Sequence, residues 1–399
     1  MFDVSHLGAI RVAGFPAYDR LQETLSNDLR RIRPGSTQYS HLLDDSDGSV
    51  VDDVIVWWLE PEDFIVVANA SNTATVRAAL HGSDITRQRA LIAVQGPGSR
   101  RMLKRVFPDA AEVPHNAVST IAIPDMLGGP ITSGAVGGVG GAPTDCIVAG
   151  TGYTGEDGVE IHIPPDSARQ LFMRLVEEGA VPAGLGARDS LRLEAGLPLF
   201  GHELGRGITP LDARLGWVIG WDKQRFNGRD ALLHAREAGP ERLLWAVVGE
   251  GRRPLRDGDR VFARLASDGQ AGNATDATTS SQLPVTEPPG TAGPSSRIVT
   301  GNPAEKAGSD DTEARPAGRT QVATDPVANS SGTCGAGHEV ELGALTSGGY
   351  GPSLQRGIGL ALLPADCRLT SGIVVSVVRG NTTIACIVTR SPLIGDNVK

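Results

Sequence analysis

The chain has 399 residues, 40% of them hydrophobic but only 4% aromatic, with 51 glycines, 26 prolines and a formal net charge of −9. That length suggests two or three domains with packed cores and many turns. The acidic balance argues against a general binder of nucleic acid or anionic membrane. No apolar run approaches a membrane span and no charged-then-apolar signal segment opens the sequence, so a cytoplasmic protein is expected.

In chain order, residues 7–13 read as a strand and 16–29 as a helix with Ala17, Leu21 and Leu25 on one face. Residues 37–43 and 50–59 read as hairpin strands around Asp47-Gly48, and 64–69 as another strand. Ser71 is the expected cap of a helix through Leu80. A strand at 91–95, a helix at 98–106 and strands near 118–124 and 145–149 follow. The clearest helix is 166–178, with apolar residues at i, i+3, i+4, i+7 and i+8, Asp166 as N-cap and Gly179 after its end. A second, 186–195, is stopped by Gly196 and Pro198. Antiparallel strands with interspersed helices make the fold α+β rather than doubly wound.

Between Asp268 and Gly337 there is no Phe, Tyr or Trp, and small and polar residues dominate. Such a segment buries too little apolar surface to offset its ordering entropy, so a disordered insertion is expected, carried between two strands. Residues 339–346, 357–362, 372–378 and 382–388 read as the short strands of a small β-barrel.

The run GTGYTGEDGVEIHIP, residues 150–164, contains G-x-G-x-x-G at Gly150, Gly152 and Gly155. A dinucleotide fingerprint needs a helix opening from these glycines. Here they lead into Val159-Glu160-Ile161-His162-Ile163, whose alternation reads as a half-buried strand with Glu160 and His162 on the face away from the three apolar residues. A glutamate beside a tight glycine turn suits a neutral, donor-rich ligand edge, although a solvated strand face also accounts for it. The four cysteines are scattered and read as reduced and structural. The histidines lack metal-ligand spacing, and neither a nucleophile elbow nor a phosphate loop is present, so no metal is expected.

Asp52 and Asp53 are strand neighbours pointing to opposite faces, which rules out a shared-proton dyad. One lies on the buried side and needs a partner. It is either a strand-end Asp paired with a turn amide or an acceptor that orients an amine nucleophile. Arg188 and Arg192, at i and i+4, read as a solvated face or a ladder with Asp189 and Glu194. Alternatively, one arginine presents its fork to a ligand. Tyr39, Asn69, Asn72 and Trp217 fit core or cap positions equally well.

An ordered set of segments resembles the aminomethyltransferase, or T-protein, family of the glycine cleavage system. The matching runs are MFDVSHLG (1–8), the NDL…PG…QYS arrangement (27–40), GSVVDDVIVWWL (48–59), VANASN (67–72) and VQGPGS (94–99). They continue with TGYTGEDGVEIHIP (151–164), PAGLGARDSLRLEAGLPLFGHEL (182–204), ITPLDARLGWVIGWDK (208–223), FNGRDALL (226–233) and TSGGYGPSLQRGIGLALL (346–363).

The resemblance implies a three-lobed folate-binding fold with a C-terminal β-barrel domain. It implies transfer of an aminomethyl carbon from the lipoyl arm of H-protein to tetrahydrofolate, releasing ammonia and 5,10-methylenetetrahydrofolate. By position, Asp53 is implied as the catalytic residue, and Glu160, Arg188, Tyr39, Asn69 and Trp217 as folate-binding. Residues 1–235 are expected to form the folate-binding region, two interleaved α+β lobes without the few dozen residues the family carries ahead of this point. Residues 240–399 are expected to form the barrel, interrupted by 268–337. The alternative is a folate-binding homologue without this activity, either an inactive truncated form or the iron–sulfur maintenance type. The latter would carry K-G-C-x-x-G-Q-E after the central helix, where this chain has FGHELGRGITPLDARLGW (200–217). A demethylating flavoenzyme half would need an upstream flavin domain.

Overall fold

The computed structural model describes residues 1–127, 145–265, 338–391 and 393, all within one compact unit. Three antiparallel sheets organise it. The first runs Ser36–Leu43, Val50–Glu60, Asp63–Ala68, Gly8–Ala13, Ser83–Asp84. The second runs Phe2–Asp3, Ala90–Gln95, Gly158–Ile163, Asp145–Ala149, Val118–Ala122.

Strand alternation sorts the side chains of these two sheets into three apolar layers. Val54, Val56, Phe64 and Val66 of the first sheet pack under the helices Ala17–Thr24 and Thr73–Leu80. Ile92, Val94, Val148, Val159 and Ile161 of the second sheet pack under Ser99–Val106 and Pro165–Glu177. The inner faces meet each other through Trp57, Ile65, Val67, Leu91, Ala93 and Ile147. The order of layers is therefore helix, sheet, sheet, helix.

The third sheet has seven strands in the order His338–Ala344, Arg260–Leu265, Val374–Arg379, Thr382–Thr389, Arg242–Gly249, Arg356–Pro364, Ser347–Gly351. It wraps a core of Trp245, Val247, Val261, Ala361, Leu363, Val375 and Val388, the barrel-like part of the fold. Its other face takes Leu193 of the helix Leu185–Glu194 against Leu244, Ala246 and Ile358. The expected insertion joins two strands of this sheet that pair with each other, with Leu265 opposite His338. Residues 268–337 themselves lie outside the described residues, Cys334 among them. The other three cysteines are free thiols.

Four expectations need correction. The first helix ends at Thr24, not Leu29, because Ser26 and Asn27 bond instead to the neighbouring strand: Ser26 N to His41 O, and Asn27 N to Ser40 Oγ. With their N–H groups given to that strand, neither residue can bond back to the preceding helical turn. Ser71 caps nothing. It lies in the 3-10 turn Ala70–Asn72, and the helix starts at Thr73. Asp166 is not an N-cap, since the helix begins at Pro165 and the carboxylate sits in its first turn, facing the positive end of the dipole.

The Gly158–Ile163 strand is not half-buried, because all six residues are buried. The polar face of Glu160 and His162 is turned to the inter-sheet layer, where His162 meets Trp57 edge to face at 6.2 Å between ring centroids. Among the described residues, no helix is long and apolar enough to cross a membrane.

Candidate functional site

The glycine-rich run does join two strands, Asp145–Ala149 and Gly158–Ile163, and no helix opens from it. Close packing explains its glycines. A Cβ at Gly152 would stand 1.9 Å from Gln95 Oε1, and Gly155 has φ +73°. Gln95 Nε2 donates to Thr151 O and Val159 O, and Thr154 Oγ1 donates to Gln95 Oε1, so one amide fastens the turn to the sheet.

Asp52 and Asp53 do point to opposite faces, yet one amide serves both. Asn69 Nδ2 donates to Asp52 Oδ1 at 2.8 Å and to Asp53 Oδ1 at 2.7 Å. Asp52, fully buried, also accepts from Asn69 N and Asn72 Nδ2. It is the carboxylate that pairs with turn amides. Burial pushes it up to about 7 against the pull of these donors. Asp53 instead accepts the Tyr39 hydroxyl at Oδ2, 3.0 Å away, and its carboxyl too is raised by burial.

Tyr39 is gathered into this group from the neighbouring strand, and burial raises its phenol well above the ordinary value. Its ring lies 5.9 Å from that of Trp217. Trp217, in the 3-10 turn Gly216–Val218, is neither core nor cap: it is 60% exposed. Tyr39, Asp53, Asn69 and Trp217 are thus brought together directly.

Among the described residues, no hydrogen bond or ion pair joins Glu160 or Arg188 to that group. Glu160 is buried, and its Oε2 accepts from Thr151 Oγ1 at 2.6 Å. It shares a strand face with His162, as Asp53 shares one with Trp57, so both carboxylates face the inter-sheet layer. Arg188 sits one helical turn before Leu191, which packs on that layer. Its guanidinium carbon stands 5.0 Å from the centroid of the Tyr153 ring, and its buried Nη1 has no hydrogen-bond partner among the described residues. Arg192 is the arginine with the structural role. It is buried on Asp189 and Glu203, not on the expected Glu194.

Tyr153, Thr151 and His41 are site residues that the sequence reading passed over. Tyr153 lies under the Arg188 guanidinium and within electrostatic reach of Asp53. Burial raises its phenol, and the charges of Arg192, Asp53, Glu203 and Arg188 all act on it. Its signal was its place in the glycine-rich run, two residues after Thr151. The site as a whole offers carboxylate acceptors, a spare guanidinium donor and flat aromatic faces. That set matches a planar heterocycle with several N–H groups.

Residues 1–223 match the GCVT N-terminal domain family, and residues 319–394 match the glycine cleavage T-protein C-terminal barrel domain. The aminomethyltransferase of Mycobacterium avium (strain 104) is 40% identical over 296 residues, which is 71% of this chain and 74% of the relative. That of Parafrankia sp. (strain EAN1pec) is 34% identical over 407 residues, covering 99% of this chain and 85% of the relative. The crystal structure of glycine cleavage system aminomethyltransferase T from Bartonella henselae superposes with a TM-score of 0.68 at 25% identity, covering 98% of this chain and 85% of that one. With both family matches, the curated relatives and the fold in agreement, the chain belongs to the glycine cleavage T-protein family of aminomethyltransferases.

Proposed function

We propose that this chain transfers the aminomethyl carbon from the lipoyl arm of H-protein to tetrahydrofolate. Ammonia, the reduced arm and 5,10-methylenetetrahydrofolate are the products. The carrying observation is the Asp53 carboxylate, held between Tyr39 and Asn69 and facing the layer that Glu160 also faces. In this reading residues 1–235 form the folate-binding region and 240–399 the barrel domain.

The reaction makes two C–N bonds to the folate nitrogens and breaks the C–S and C–N bonds of the aminomethyl group. Two folate N–H protons pass to the departing sulfur and amine, and there is no net oxidation. Asp53 accepts from the attacking N–H and holds its lone pair toward the carbon. Glu160 accepts from the aminopterin edge, the spare Nη1 of Arg188 donates to it, and Tyr39, Asn69 and Trp217 border the ring. Each charge-assisted bond contributes about 1.5–3 kcal/mol. Alignment of nucleophile and carbon supplies the larger share, up to about 7–11 kcal/mol in favourable cases. No nucleophilic side chain is required.

Asp53→Asn keeps the shape and removes the anionic acceptor. Its expected effect is a roughly 10²–10⁴-fold fall in kcat with tetrahydrofolate still bound. Glu160→Ala weakens folate binding instead. Both are read from methylenetetrahydrofolate formation and folate titration, and an Asp53→Asn variant turning over at the wild-type rate rejects the assignment.

A further inference from the structure

His41 lies on the Ser36–Leu43 strand directly opposite Asp53 and is fully buried. Its Nε2 stands 3.2 Å from the Tyr39 hydroxyl, and its Nδ1 meets no partner among the described residues. The mechanism above gives it no task.

The hydroxyl of Tyr39 carries one proton. Asp53 Oδ2 lies 3.0 Å from it, and in the ionised form that the reaction uses this carboxylate can only accept. The proton is therefore directed at Asp53, and the oxygen turns a lone pair toward His41. Contact at Nε2 then requires the hydrogen to be on Nε2. A second argument selects the same tautomer. Nδ1 is unpartnered in either form, and a buried bare acceptor is better tolerated than an orphaned N–H.

We propose that His41 is a positioning residue, whose Nε2–H holds the Tyr39 hydroxyl so that its proton stays committed to Asp53 Oδ2. The proposal rests on the reading of Asp53 as the reacting carboxylate. Without the imidazole donor, the hydroxyl is free to turn away and the Asp53 anion loses part of its stabilisation. The titratable groups around His41 and Tyr39 are Asp53, across the ladder on the same face, and Asp52 and Tyr153, whose charges act on Tyr39. On the far side, His41 meets Ser26 through its backbone. Burial drives the imidazole down to about 3, so it stays neutral at every assay pH above about 5.

The tautomer is read directly by ¹⁵N NMR of the histidine-labelled wild-type chain, with His41→Gln identifying the signal among eight histidines. Protonation at Nε2 is expected, and protonation at Nδ1 overturns the proposal. Activity gives the second arm. In His41→Met the acid limb of kcat/KM moves to higher pH, and a shift of about one unit lowers activity on that limb about tenfold with the plateau preserved. His41→Gln, which retains a donor at the same reach, restores the wild-type profile. A Met variant with the wild-type limb, or a Gln variant as impaired as Met, overturns it. The NMR arm stands whether or not the Met variant folds. It needs no turnover, so an active Asp53→Asn chain would sink the catalytic reading separately.

Discussion

Adjacent aspartates on one strand meet different fates because alternation separates their surroundings. Asp52 is enclosed by amides from the Asn69–Asn72 turn, while Asp53 faces Tyr39 and the inter-sheet layer. Burial raises both carboxyls, Asp52 to about 7. The native state thus keeps protons that the unfolded chain releases near about pH 4, so it binds more protons than the unfolded state across this window. Stability therefore falls as pH rises from about 4 to 7. Asp52→Asn cannot ionise and should flatten that fall. Urea midpoints at about pH 5 and 7 for both chains check it, and equal changes would remove Asp52 as the cause. The sequence showed that one of these carboxylates needed a partner. It did not show which, because the decisive turn lies 16 and more residues downstream.

Most strands and helices were legible from apolar period and turn residues, including the strand exit from the glycine-rich run. The misreadings have two causes. The alternation at Glu160 and His162 read as a half-buried strand, open to a ligand edge or to solvent on their side, yet a second sheet covers that side. Periodicity within one strand carries no information about what packs above it. Helix ends failed at Ser26 and Ser71 because these hydroxyls found other partners. The barrel strands Arg260–Leu265 and His338–Ala344 lead to a prediction. Since Leu265 and His338 pair, replacing 266–337 by a two-residue hairpin turn should leave the fold intact, with a melting temperature within a few degrees of wild type. A large fall in Tm would show that the segment contributes to the fold.

At the scale of the whole chain, Arg192 ties separate parts together. It donates to Asp189 on its own helix, to Glu203 and Leu197 O in the following loop, and to Ser347 in the third sheet. Glu203 in turn accepts from Leu199 N and Thr346. Arg192→Met leaves the Glu203 charge buried without its cation, which should cost about 3–5 kcal/mol in chemical denaturation. Adding Glu203→Leu should recover most of that loss, and a double variant as unstable as the single would show that packing, not charge, is what the arginine provides. From local spacing alone this arginine read as part of a solvated face or of a ladder with Asp189 and Glu194; the Asp189 rung is present, while Glu203, eleven residues on in the following loop, takes the place of Glu194.

Trp217 has a different consequence. Of five tryptophans, Trp57, Trp58 and Trp245 are buried and Trp221 is partly enclosed, while Trp217 lies open beside Tyr39 at the candidate site. An indole in contact with water emits at longer wavelength than its enclosed neighbours, and anything that settles over it alters that emission. The protein therefore carries a native fluorophore where its substrate is expected to arrive, and occupancy can be followed optically without attaching a dye.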